Sequence, residues 1–346
     1  MEDVKGILRY AQNDGQRGRL CYGEGEEISI DSWVMAELLK IYEVGPRDGL
    51  QNEAALVDTA DKTRLVNGLV AAGLRHIEVT SFVHPQAVPQ MADADEVMAG
   101  AVQRYGNRPV EFVGLVFNQR GYDRALAAGC RSMAFGVAVS ETFSLRNTHN
   151  NPAEALATTR ELVAQAQQDG VRTRVYIMTA WVCPFEGLIS PYRTMAVAEQ
   201  LWGLGISELA VADTIGHANP LEVARLVEML GRRIPLDHIA LHLHDTQALA
   251  LANATTALQA GARIFDSSVG GLGGCPFAPG AAGNLATEDL VFLAYKMGLG
   301  TGVDFERLWQ VVGEVEQMVG RPVGGRIRAW WESNYHQEPA LEFEQT

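Results

Sequence analysis

Between Ser268 and Asn284, six of seventeen residues are glycine and one is a cysteine, Cys275. Glycine takes backbone conformations closed to other residues, so this stretch can flex and can approach a ligand closely. It carries a thiol on a pliant loop that ends in an amide oxygen, Asn284. Upstream, Leu241-His-Leu-His-Asp245 holds two imidazoles two residues apart. On a strand they point to the same side, and neutral imidazoles are common metal ligands. Far upstream, Val44-Gly-Pro-Arg-Asp48 adds a guanidinium beside a carboxylate. His242 and His244 with Asp48 and the Asn284 amide form a mixed nitrogen and oxygen donor set that leaves room for substrate and water in an octahedral shell. That set suits a divalent cation, Mg2+ or Mn2+, with Zn2+, Co2+ or Fe2+ as alternatives. Arg47 beside it would steady an oxyanion or carboxylate through paired hydrogen bonds. Cys275, as an ordinary thiol with a pKa of about 8.5, would be protonated at neutral pH and able to donate that proton.

Each residue taken alone has a plainer reading. The histidines could be core residues bonded to neighbours. Asp48 could be a turn residue in Arg-Asp-Gly, and Asn284 could cap the helix that begins near Leu285. Glu78 would orient Arg47 or a substrate hydroxyl, or serve as a structural ion-pair partner. Asp213, in Ala212-Asp-Thr-Ile-Gly216, would bond a ligand or hold the turn before the glycine. Cys130 reads as a buried filler, and Cys183 is ambiguous.

The elements that must bring these residues together repeat along the chain. A helical stretch ends in Gly, about three residues follow, and an apolar β run begins. The runs are Lys40–Val44, Ile77–Phe82, Glu111–Phe117, Met133–Val139, Thr173–Thr179, Glu208–Asp213, Ile239–His244 and Ile264–Val269. Glycine just past a helix end is a favoured C-cap, and the intervening stretches carry helical apolar spacing, as in Leu65, Val66, Leu69 and Val70. Eight strand–helix units in roughly 250 residues predict an α/β fold, a (β/α)8 TIM barrel. The alternative, a doubly wound open sheet, lacks a G-x-G-x-x-G after the first strand. Residues 1–32 form a polar extension expected to be poorly ordered, 33–300 the barrel, and 301–346 an added helix (Val303–Gly320) and a tail. In such barrels function sits where strands end and βα loops begin. There Arg47, Asp48, Glu78, Asp213, His242, His244 and Cys275 would converge.

At these residues the chain resembles the 3-hydroxy-3-methylglutaryl-CoA lyase family of metal-dependent barrel lyases. The resemblance is carried by Glu43-Val-Gly-Pro-Arg-Asp-Gly-Leu-Gln-Asn-Glu53 and by the Ser268–Asn284 loop continuing to Leu290. Ile77–Phe82, Asp213–Gly216 and Cys183–Gly187 match in order, and the likeness spans roughly Ile41 to Val303. It implies cleavage of a 3-hydroxy-3-methylglutaryl-CoA-like thioester to acetyl-CoA and a keto acid, acetoacetate. By position, Asp48, His242, His244 and Asn284 would bind metal, Arg47 and Gln51 would contact substrate, Arg47 would hold the enolate, and Cys275 would protonate it. The hydroxyl proton would pass to Asp48 or His242. Two stretches depart from the family pattern: Gln247-Ala-Leu249 after His244-Asp-Thr246, and Asn147-Thr-His-Asn150. Both should border the acyl or CoA pocket, so citramalyl-CoA or a longer-branched glutaryl-CoA is an alternative substrate. A Claisen-type synthase of the same barrel class is a further alternative that the Cys275 loop disfavours. A non-catalytic scaffold would be expected to have lost one of Asp48, His242, His244 or Cys275.

The bulk properties narrow the partners. A net charge of −14 over 346 residues argues against nucleic acid and anionic membranes. No apolar run approaches the roughly 18 residues needed to span a bilayer, and the N-terminus lacks the apolar core of a secretory signal. Four widely spaced cysteines without a CxxC pair fit reduced thiols in a cytoplasm. With those partners set aside, the family resemblance implies a small acyl-CoA as the partner. A homodimer is compatible with this composition.

Overall fold

Alternating apolar runs and helix-start signals build eight successive strand–helix units. The three-dimensional structure is a computed structural model describing residues 19–22, 26–29, 38–274 and 283–334. The strands are β1 (Lys40–Glu43), β2 (His76–Ser81), β3 (Glu111–Leu115), β4 (Ser132–Ala138), β5 (Arg172–Met178), β6 (Glu208–Ala212), β7 (Ile239–His242) and β8 (Ile264–Ser267). They pair in parallel and close, β8 joining β1 with Ile264 opposite Lys40 and Ser267 opposite Glu43. Closure excludes the open-sheet alternative and satisfies both edges of every strand.

The helices lie between the strands. They are α1 (Thr59–Ala71), α2 (Ala94–Tyr105), α3 (Gln119–Ala127), α4 (Glu141–Thr148), α5 (Pro152–Gln168), α6 (Pro191–Trp202), α7 (Pro220–Gly231), α8 (Ala250–Gln259) and α9 (Thr287–Lys296). Their starts are specified locally. Asn151 and Asn219 each cap N3, and Glu154 and Glu222 return the bond to the cap amide, with Pro at the first helical position. The helix-ending glycines divide: Gly73 takes φ +101°, whereas Gly106 stays right-handed at −57°.

Three features were not apparent from the sequence. Two helices, α4 and α5, follow β4. A small hairpin, Val182–Cys183 with Gly187–Leu188, precedes α6. An antiparallel pair, Arg19–Tyr22 with Glu26–Ser29, lies in the polar extension, where no element was expected. After the barrel come α10 (Phe305–Val319) and α11 (Arg328–Asn334). Trp331 of α11 is 2% exposed and stacks edge-on against Phe305, with centroids 4.6 Å apart.

Alternation along each strand sorts residues to two cores. Outward residues such as Ile77, Val175 and Leu241 pack beneath the helices. The inward set includes Tyr42, Val113, Ala134, Tyr176, Ala210, Ala240 and Ile264. Small residues on several strands leave space at the centre, and charged groups from the other strands fill it.

Candidate active site

The turn after β1 carries the first pair. Gly45–Gly49 forms one π-helical turn in which the Val44 carbonyl accepts from the amides of Arg47, Asp48 and Gly49. This turn presses against the glycine-rich stretch. A Cβ on Gly49 would lie 2.8 Å from Leu272 Cβ and from Ser268 Oγ. Gly49→Ala is therefore expected to cost about 1–3 kcal/mol, the range for overpacking, and to displace Asp48. Urea unfolding of the variant, alongside its turnover, measures both effects.

Asp48 sits between two imidazoles. Its Oδ2 lies 3.8 Å from His242 Nε2 and 4.0 Å from His244 Nε2. The candidate ligand atoms of the three residues lie within 4.8 Å of one another. Each imidazole is turned by a partner at its other nitrogen. His242 Nδ1 is 3.0 Å from Asp266 Oδ2, and His244 Nδ1 is 3.0 Å from the Asp213 carbonyl oxygen. Both partners are acceptors, which assigns the proton to Nδ1 and leaves the Nε2 lone pairs facing Asp48. Burial holds His244 down to about 4, so it is neutral at physiological pH. Burial alone would raise the Asp48 carboxyl, but Arg47, His242, His244 and the Asn284 amide outweigh it and hold the group well below the usual carboxylate range.

Asn284 completes the set. Its Nδ2 donates to Asp48 Oδ2 (2.9 Å) and to the Leu272 carbonyl (3.0 Å). Two acceptors on one side fix the amide orientation and leave Oδ1 buried without a donor among the described residues. A buried carbonyl oxygen without a partner is costly, and a cation is a natural one. Two imidazoles, a carboxylate and this oxygen therefore fit a divalent metal. Asn284 is not the cap of α9: that helix starts at Thr287, with Ala286 at its N-cap and no side-chain cap bond.

Behind the donors runs a buried polar chain. Arg47 Nε is paired with Glu78, and Arg47 Nη1 with Asp48. The Tyr176 hydroxyl lies 2.7 Å from Glu78 Oε2 and 2.9 Å from Asp266 Oδ2. Arg174 pairs with Asp266 and, through Nε, with Glu208 Oε1 at 2.9 Å. Burial disfavours a charged Arg47, but Asp48 and Glu78 outweigh it and raise its pKa. Glu78 is fully buried, and its pair with Arg47 suits either an orienting role or a structural ion pair. Asp213 turns away from the donors. Its carboxylate accepts from the amides of His217 and Ala218 at 3.0 and 3.1 Å, and burial raises it to about 6. Its backbone, not its side chain, reaches the site.

Asp266, Tyr176 and Arg174 were not singled out from sequence, although each is a polar residue inside an apolar strand, the criterion that singled out Glu78. Glu43 was also overlooked. It is fully buried, accepts from the amides of Gly45 and Val269 and the Thr287 hydroxyl, and so ties β1, β8 and α9 together. Burial raises it to about 7.

Gln51 is half-buried just past the turn, and its Oε1 accepts nothing among the described residues. Cys275 lies outside the described residues. The stretch leading to it passes over the donors. Gly273 takes φ +106°, and a Cβ there would meet Asn284 Nδ2 at 2.6 Å. The Gly274 carbonyl accepts from Asn52 Nδ2 at 2.8 Å. Cys130 and Cys183 are buried free thiols.

Residues 38–315 match the HMGL-like family model. The chain belongs to the hydroxymethylglutaryl-CoA lyase family. Hydroxymethylglutaryl-CoA lyase YngG of Bacillus subtilis is 43% identical over 286 residues, covering 83% of this chain and 95% of the relative. A Pseudomonas aeruginosa relative named 3-hydroxy-3-isohexenylglutaryl-CoA/hydroxy-methylglutaryl-CoA lyase is 42% identical over 83% of this chain and 95% of its own length. The solved structure of an HMG-CoA lyase from Acinetobacter baumannii, in complex with coenzyme A and 3-methylmalate, superposes with a TM-score of 0.83 at 37% identity. It covers 89% of this chain and 99% of that one. Among the described residues no helix is long and apolar enough to cross a membrane.

Proposed function

We propose that this chain cleaves 3-hydroxy-3-methylglutaryl-CoA, or a close 3-hydroxyacyl-CoA, to acetyl-CoA and a keto acid. Asp48, His242, His244 and Asn284 would hold a divalent cation, Mg2+ or Mn2+. The observation that carries the reading is the convergence of Asp48 on two imidazoles whose Nε2 atoms face it at 3.8 and 4.0 Å, beside Arg47. The relatives' names supply the substrate class.

Retro-Claisen cleavage removes the proton from a tertiary hydroxyl, breaks the adjacent carbon–carbon bond and leaves an enolate. When bound, the cation would polarise the substrate oxygens and lower the hydroxyl pKa. The hydroxyl proton passes to a carboxylate oxygen of Asp48; His242, with Nε2 offered to the cation and its Nδ1–H donating to Asp266, would have no free nitrogen to take it. The bonding electrons move onto the thioester carbonyl. Arg47, held by Glu78 and Asp48, offers its remaining N–H donors to that oxygen. Gln51 lies on the same turn and would help hold the substrate. Cys275 then donates a proton to the enolate carbon. Asp213 acts through its backbone, by holding His244. The free thiols Cys130 and Cys183 fit the reducing cytoplasm inferred from cysteine spacing.

A second reading, a substrate with a longer branch at C3, is favoured by the departures at Asn147–Asn150 and Gln247–Leu249 and by the isohexenylglutaryl-CoA activity named for the P. aeruginosa relative. Acetyl-CoA release from a panel of 3-hydroxyacyl-CoA thioesters, with and without Mg2+ or Mn2+, tests both readings. No release from any member with metal present would end the lyase reading, and preference for an isohexenyl thioester would select the second. Cys275→Ala is expected to lower kcat by roughly 10²-fold with Mn2+ affinity nearly intact, checked by steady-state kinetics and calorimetric titration. Loss of Mn2+ binding in that variant would assign the thiol a different role.

A further inference from the structure

A short segment between α10 and α11, residues 321–327, returns to the mouth of the barrel. It lies beyond the residues matched by the family model. It touches all three stretches of chain that carry the candidate donors. Arg321 pairs with Glu53 in the β1–α1 loop, Nε to Oε2 at 3.1 Å, five residues past Asp48. Arg326 pairs with Asp245, the residue after His244, at 2.7 Å through Nε and 2.6 Å through Nη2. The Asp245 amide in turn donates to the Gly283 carbonyl (3.0 Å), next to Asn284.

Backbone amides complete the attachment. Gly324 donates to the Gly270 carbonyl at 2.9 Å. Gly325 donates to Glu288 Oε1 at 2.6 Å, while Gly270 donates to Glu288 Oε2 at 3.0 Å, so one buried carboxylate joins the segment to the end of β8. Arg326 and Ile327 donate to the two oxygens of Asp289 at 2.7 and 2.9 Å. Both acids lie in the first turn of α9, four and five residues past Asn284.

The side chains of Arg321 and Arg326 are 47% and 54% exposed, whereas those of Glu53 and Asp245 are 8% and 16% exposed. Ion pairs with an exposed partner add little to folding. Their placement has more consequence, because each ties the same segment to a different donor-bearing stretch. We infer that residues 321–327 are a strap that sets the spacing of the Asp48, His244 and Asn284 stretches, with Arg321 and Arg326 as positioning residues. The inference rests on the metal reading above.

The test compares the parent with the double variants Arg321→Ala/Arg326→Ala and Arg321→Lys/Arg326→Lys. Mn2+ affinity is measured by titration, the unfolding midpoint without metal by calorimetry, and kcat and KM on the best panel substrate. The alanine pair is expected to bind Mn2+ about tenfold more weakly, the scale of a lost outer-sphere contact. Its kcat should fall more than KM rises, and its midpoint should move by only about 3 °C. The lysine pair should recover most of the affinity. If the alanine pair does not fold, the single variants Arg321→Ala and Arg326→Ala carry the same comparison. Parent-like Mn2+ affinity, or a loss that lysine does not restore, overturns the strap. A parent that binds no Mn2+ overturns the metal reading instead, and the strap with it.

Discussion

Asp48→Asn is expected to abolish Mn2+ binding and to lower kcat/KM by roughly 10³-fold or more, in the upper part of the range for a lost proton-transfer group. The carboxylate is the point where four other groups meet. Its Oδ2 faces both imidazoles and accepts from Asn284, and its Oδ1 pairs with Arg47. An amide at this position keeps the shape and loses the charge. It also presents an N–H where Asn284 already donates, so two donors would collide around one acceptor position. The effect on folding should be smaller, because Arg47 keeps Glu78 and is not left as an unpaired buried charge. Calorimetric Mn2+ titration, steady-state kinetics and an unfolding curve on one preparation separate these effects. An Asn variant that binds Mn2+ like the parent would remove Asp48 from the donor set.

Arg47→Lys should separate binding from chemistry. Lysine keeps the positive charge but not the planar fork that bonds Glu78, Asp48 and an oxyanion at once. Turnover is expected to fall by about 10²- to 10³-fold, the cost of losing one donor to a developing oxyanion. KM should change little, and Mn2+ affinity should persist because the four donors remain. A lysine variant with parental kcat would show that the guanidinium stabilises no charge in the rate-limiting step. Glu78→Gln is a useful companion, since it loosens Arg47 while leaving the guanidinium in place.

The buried chain His242–Asp266–Tyr176–Glu78–Arg47 explains why these substitutions should be felt beyond their own contacts. Hydrogen bonds and ion pairs join its members inside the barrel, with the single Tyr176 hydroxyl proton shared between Asp266 and Glu78 and Arg174 donating to both Asp266 and Tyr176. Such a network rigidifies when every member is satisfied and fails as a unit when one is removed. Its Asp266 also fixes the His242 tautomer, while the Asp213 carbonyl fixes that of His244, and no local sequence feature encodes either.

Much of the architecture was legible in the chain itself. Strand and helix positions follow from local periodicity and from caps such as Asn151-Pro-Ala-Glu154, because those forces act over three or four residues. Eight such units imply a barrel, and the C-terminal-end rule for barrels pointed to Arg47, Asp48, Glu78, Asp213, His242, His244 and Cys275. What folding alone decided is how side chains far apart in sequence face one another. Asp266 is 24 residues from His242 and Tyr176 is 98 from Glu78, and neither pairing has a local signature. Asp213 looks like a site carboxylate in one dimension, yet its oxygens are drawn to the two amides that the turn leaves without partners. Asn284 looks like a helix cap, yet α9 begins too late for it to serve. Barrel closure and the return of residues 321–327 set these outcomes, since a buried polar group takes whichever partner the tertiary fold brings within about 3 Å.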